Sequence, residues 1–169
     1  MADAVDDATL TDTVDRVRDE WARTYPDLDT SPIEVLGRVQ RIASICNHRL
    51  DLDLARHGVN RSEFSVLSAL ARAGRPLRVS EVVSTTMLSG ASITKITDSL
   101  VSRKLVVRQK SERDGRVVLL APTDAGRAVV DDEMPRRIAG DAQLIAGLTN
   151  AERDALAGLL RKVCAALGD

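Results

Sequence analysis

Aromatic residues are almost missing from this 169-residue chain, which has one Trp, one Tyr and one Phe. Trp21, Tyr25 and Phe64 are too few to build the stacking platforms that hold single-stranded nucleic acid. Cysteine is as scarce. Cys46 and Cys164, the only two, are too isolated for a disulfide framework or a zinc site. The two histidines, His48 and His57, sit in no ligand-spaced motif, so neither a metal nor another cofactor is expected. No apolar run approaches the ~20 residues of a membrane helix. The N-terminus carries Asp3, Asp6 and Asp7, the opposite of a secretory leader. These absences predict a soluble, cytoplasmic protein with no membrane partner. A nucleophile elbow, a phosphate-cradling glycine loop and a distinctive carboxylate pair are also lacking, so an enzyme is not expected.

What is present is ample apolar material, 44% hydrophobic against 29% charged residues, enough for one domain with a real core. The net charge is only −1, but it is unevenly distributed. Residues 1–29 carry nine acids and three bases. Residues 89–116 carry seven bases, Lys95, Arg103, Lys104, Arg108, Lys110, Arg113 and Arg116, against Asp98, Glu112 and Asp114. Such a stretch suits either a phosphate footprint or a solvated face, and charge alone does not separate the two.

Periodicity predicts a mainly α chain. A first helix runs over about Leu10–Thr24, broken by Tyr25-Pro26. A second starts at Pro32 with Ser31 as its cap and reaches about Arg56, with Leu36, Val39, Ala43, Cys46, Leu50 and Leu54 along one stripe. His57-Gly58 ends it. Asn60 and Glu63 form a capping-box pattern before a helix that buries Phe64, Leu67, Leu70 and Ala71. A short helix over Val79–Thr85 and a turn at Met87-Leu88 come next. Ser89 caps a helix to Lys104 with Ile93, Ile96, Leu100 and Val101 inside, and Ser92, Thr94, Lys95, Asp98 and Ser99 outside. The period then drops to two: Leu105–Gln109 and Arg116–Leu120 read as strands around a charged loop, a β-hairpin with a basic tip. Thr123 caps a long helix with Pro135 predicting a kink. Thr149 and Glu152 open a last helix with Leu156, Leu159, Leu160, Val163 and Leu167.

Helix, short helix, outward-polar helix and basic hairpin make the layout of a winged helix-turn-helix. The outward-polar helix suits the major groove of double-stranded DNA, and the hairpin suits backbone and minor groove. The candidate DNA contacts are Ser89, Ser92, Thr94, Lys95, Arg103, Arg113 and Arg116. Over about residues 31–167 the chain resembles the MarR family of bacterial transcriptional regulators. The most specific stretch is residues 89–127, SGASITKITDSLVSRKLVVRQKSERDGRVVLLAPTDAGR. Arg113, Asp114, Arg116, Thr123 and Gly126 match the family's wing motif and helix start, while Ser111 replaces an acid and Pro122 an aliphatic residue. The segment at residues 58–74 also looks like a helix of that family.

The resemblance implies a homodimer that reads a pseudo-palindromic operator, with half-sites about one helical turn (~10 bp) apart. It assigns residues 1–30 to an acidic extension with an extra helix and residues 31–57 and 123–169 to a helical dimerisation region. Residues 58–122 become the DNA-binding lobe. It also implies repression relieved by a small-molecule effector, often an aromatic anion. The extra helix, residues 14–27, is similar to that of the family's urate-responsive branch. Trp21 and Arg108 match that branch's pocket by position, while Ser65 stands for its Asp and Ile96 for its second Arg. With His48 and Arg49, the residues Trp21, Ser65 and Arg108 are the candidate ligand contacts. Bland readings stand beside these: Trp21 as a packing anchor, Arg108 on phosphate, His48 and Arg49 as surface groups. Two other functions compete, a winged-helix protein-interaction module and a regulator that senses redox through Cys46 or Cys164.

Overall fold

The computed structural model describes residues 11–86, 88–111 and 114–167. They form helices α1 (Thr13–Thr24), α2 (Ser31–Ala55), α3 (Arg61–Ala73), α4 (Val79–Thr85), α5 (Gly90–Ser102), α6 (Asp124–Leu144) and α7 (Asn150–Ala165). Three strands, β1 (Leu77–Arg78), β2 (Val106–Lys110) and β3 (Val118–Pro122), complete the described elements. The chain divides into two compact units, Met1–Arg49 and Leu50–Asp169.

In the first unit, Asp12 and Asp15 close a capping box at the start of α1. Arg38 from α2 bonds to both carboxylates, at 3.1 Å and 2.7 Å. Arg18 pairs with Glu34 between the same two helices. Ser31 is the first helical residue of α2 rather than its cap, and its N–H is taken by the Asp29 carboxylate at 3.0 Å. Pro32 thus sits one position deeper, still within the first turn where its missing N–H costs nothing.

The second unit holds the core. Leu54, Phe64, Leu67, Leu70, Val82, Ile93, Leu100, Val106 and Leu120 are buried together. Each large aliphatic among them contributes about 1.5–3 kcal/mol by leaving water. Gly58 follows α2 at φ +61°, the left-handed conformation glycine adopts without strain. Asn60 and Glu63 make the expected capping box, and so do Thr149 and Glu152. Ala69, not Ala71, is the buried alanine of α3.

The wing is a three-stranded antiparallel sheet in the order β1-β3-β2. Two strands were expected; β1 is the third, and two residues are too short to show a period of two. Leu77 pairs with Leu120, and Arg108 pairs with Leu120 from the other side. Helix α5 stops at Ser102, short of Lys104, because Lys104 turns left-handed at φ 58° and sends the chain into β2. At the far end of the wing, the Thr123 hydroxyl accepts from Gly126 N–H at 3.0 Å and donates to the Lys104 carbonyl at 2.8 Å. A Cβ on Gly126 would lie 2.0 Å from the Leu105 carbonyl oxygen. Thr123 and Gly126 therefore weld the start of α6 to the wing. Helix α6 continues through Pro135 and ends at Leu144. Helix α7 buries none of its side chains in this chain.

Candidate nucleic-acid interface

Helix α5 is positioned by its inner face. Ile93, Thr97 and Leu100 are buried, and the Thr97 hydroxyl is satisfied within the helix by the carbonyls of Ile93 and Thr94. That packing turns Ser92, Thr94, Lys95 and Asp98 to solvent. Ser89 caps the helix through Ser92 N–H, and its hydroxyl lies 2.9 Å from that of Ser92. Ser99 is a correction. Expected outside, it is half-buried, because its hydroxyl donates to Glu63 at 2.9 Å.

The Asp98 carboxylate on α5 accepts from Arg108 on β2 at 2.5 Å. Asp98 shares a helix surface with Thr94 and Lys95 by its spacing. Arg108 shares a strand face with Lys110. The pair thus stitches the outer stripe of α5 to one edge of the wing. Among the described residues, no acid pairs with the side chains of Lys95, Lys110 or Arg116. Those three cations are exposed to solvent. Arg116 holds its place through its backbone, which donates to the Asp114 carboxylate at 3.0 Å.

Arg103 is placed differently. Its guanidinium donates to both Glu63 oxygens, at 3.1 Å and 3.0 Å, and to the Gly58 carbonyl at 2.8 Å. It is an internal brace between α5 and the start of α3. Burial opposes the Glu63 charge, but hydrogen bonds from Asn60 N–H, Ser99 and Arg103 overcome it and hold the carboxyl below the ordinary glutamate range. Arg113 lies outside the described residues. Lys110, part of the basic run in the sequence, is exposed, and its freedom from acids among the described residues is a tertiary fact.

Of the candidate ligand contacts, Trp21 is about half exposed, stacked on Tyr25 with ring centroids 5.4 Å apart. It lines a cleft of about 640 Å³ between α1 and α2, with Val17, Leu36, Gln40, Arg41 and Ile45. His48 and Arg49 are exposed on α2, outside that lining. Ser65 is half-buried on α3. Arg108 is engaged by Asp98, which leaves it partly neutralised whatever else it meets. Cys46 is a half-buried free thiol and Cys164 an exposed one. No helix among the described residues is long and apolar enough to cross a membrane.

A three-stranded wing behind an outward-polar helix, with unpaired cations on both, defines a winged helix-turn-helix of the transcription-regulator class. Sequence comparison agrees in detail. The chain belongs to the MarR family: that family's model matches residues 57–117. The HTH-type transcriptional regulator MhqR of Bacillus subtilis is 31% identical over 76% of this chain and 86% of its own length. The regulator PecS of Dickeya dadantii is 26% identical over 85% of this chain and 88% of its own. A solved structure of Bordetella bronchiseptica BpsR, on the regulation of its DNA binding by 6-hydroxynicotinic acid, superposes with TM-score 0.65 and 27% identity. It covers 77% of this chain and 92% of that one. The family is one of transcription regulators.

Proposed function

We propose that this chain is a ligand-responsive repressor that binds double-stranded DNA as a homodimer. The observation that carries the reading is the α5–wing surface, where Ser92, Thr94 and Lys95 face solvent beside unpaired Lys110 and Arg116. Helix α5 enters the major groove, Ser92, Thr94 and Lys95 meet base edges or flanking phosphates, and the wing follows the backbone toward the minor groove, the contact assigned to Arg113. Residues 58–122 serve as the DNA-binding lobe.

Residues 31–57 and 123–169 serve as the dimerisation region. Val35, Leu36, Val39 and Ile42 on α2, Ile138 on α6, and Leu159 on α7 are all exposed in the single chain. Exposed aliphatics at this density on each unit mark surfaces covered by a partner, and a second copy supplies the two-fold symmetry a palindrome requires.

The effector is a small aromatic acid. The half-exposed indole of Trp21 beside Arg41 offers a stacking face and a positive charge, and the regulation of BpsR by 6-hydroxynicotinic acid supports that class. Binding of such a ligand shifts the dimer toward a spacing at which both α5 helices no longer enter successive grooves.

The test is a mobility shift on DNA upstream of the chain's own gene, against scrambled DNA at matched salt. A sequence-dependent shift at nanomolar protein, lost on adding the effector, is expected. Equal affinity for scrambled and genuine sites after an unbiased site selection would refute the reading. Trp21 is the only tryptophan, so quenching of its fluorescence by candidate acids reports the ligand directly.

A further inference from the structure

Three metal-ligating side chains, His57, Asp132 and Glu133, converge in the second unit with one ligand atom of each within 4.8 Å of the others. His57 belongs to the turn that follows α2, and the two carboxylates sit side by side in α6, so no sequence motif announces them. His57 Nε2 lies 3.2 Å from Asp132 Oδ2 and 3.7 Å from Glu133 Oε2. Ligands around a tetrahedral zinc ion with bonds of about 2.0–2.2 Å stand about 3.4 Å apart. The two distances from His57 bracket that value.

The polar bookkeeping points the same way. His57 Nε2 and Glu133 Oε1 are both buried and make no hydrogen bond among the described residues. The imidazole nitrogen lies 3.2 Å from Asp132 Oδ2 without a hydrogen bond to it. Glu133 is fully buried. An unpaired oxygen on such a carboxylate costs free energy unless something meets it.

Each carboxylate is also held by an arginine. Arg136 takes Asp132 Oδ1, at 3.1 Å and 3.3 Å, leaving Oδ2 toward the histidine. Arg56 takes Glu133 Oε2, the oxygen 3.7 Å from His57 Nε2, at 2.9 Å, and Oε1 is the buried oxygen without a partner among the described residues. A ligating carboxylate is ordinarily supported by such hydrogen bonds, and at Asp132 the arginine leaves the oxygen that faces the histidine open.

We propose that His57, Asp132 and Glu133 bind one divalent transition-metal ion of the zinc type, with water completing the coordination. One imidazole and two carboxylates favour zinc over magnesium or calcium, which prefer all-oxygen shells. The ion would fasten the turn after α2 to the middle of α6.

The test uses the full chain without an affinity tag, stripped with a chelator and titrated with zinc by equilibrium dialysis. One ion per chain is expected, retained in excess magnesium. His57→Ala should weaken binding by about 100-fold or more, and Arg136→Ala by about 10-fold. His48→Ala should leave it unchanged. If His57→Ala does not fold, Asp132→Asn, a change at a half-exposed side chain, carries the same expectation. No stoichiometric zinc binding, or binding indifferent to both His57→Ala and Asp132→Asn, would overturn the proposal.

Discussion

Arg103→Ala separates bracing from DNA contact. Breaking a fully buried ion pair costs about 3–5 kcal/mol, because the partner left behind is charged and dry. Here the Glu63 side chain is 8% exposed and that of Arg103 35%, so water recovers part of the loss. Glu63 also keeps its bonds to Asn60 N–H and Ser99. The expected destabilisation is therefore about 2 kcal/mol. With a urea dependence of about 2 kcal/mol/M, the unfolding midpoint falls by ~1 M. Variants must be compared at one protein concentration, since association adds to apparent stability. The second readout is the salt dependence of operator binding. A lost phosphate contact makes the log–log slope shallower by about 0.9, and Arg103→Ala should leave the slope unchanged. The double variant with Glu63→Gln should lose less than the sum of the singles. An unchanged midpoint together with a shallower slope would refute the bracing role and make Arg103 a phosphate contact.

Lys95→Ala and Lys110→Ala should do the reverse: each makes the salt slope shallower by about 1 with the melting temperature unchanged, and a flat response in both would remove them from the interface. Gly126→Ala should cost about 3 kcal/mol or more in thermal unfolding, since the new Cβ meets the Leu105 carbonyl at 2.0 Å; a neutral outcome would mean α6 and the wing shift apart freely. Lys104→Gly should be neutral or slightly stabilising, because relief of about 1 kcal/mol of left-handed strain is offset by a freer unfolded chain, whereas Lys104→Val should lose about 1–2 kcal/mol; equal losses would show that the conformation at φ 58° is not the cause. The Glu63 carboxyl is depressed in the folded chain, so its contribution is present above the unfolded value of about 4.3 and is lost as pH falls through the lower folded value. Glu63→Gln should therefore flatten the acid limb of a stability–pH profile, and an unaltered limb would contradict the assignment.

Local signals were legible wherever neighbouring residues settle a conformation among themselves. Asn60 and Glu63, or Thr149 and Glu152, cap a helix from four residues of chain, and both capping boxes form. The aliphatic spacing on α5 set which side faces in, and only Ser99 broke the pattern, through a bond to Glu63 that lies far off in sequence. The strand β1 was not legible. Two residues carry no period, and Leu77–Arg78 is extended because β3 is there to pair with it.

By itself the sequence determined the helices, the hairpin, their order and the family, because each rests on spacing within a few residues of a neighbour or on a contiguous motif. Which cations are left without an acid partner was decided by the tertiary structure alone. Arg103, Arg108 and Lys95 are equally basic as letters. Only folding sets Glu63 under the first and Asp98 against the second, and leaves the third without an acid among the described residues. The same holds for His57, Asp132 and Glu133, brought together across the chain by the packing of α6 on the core. Charge is written in sequence, but its partner is fixed by packing, and the partner decides whether a charge braces the fold or reaches a ligand.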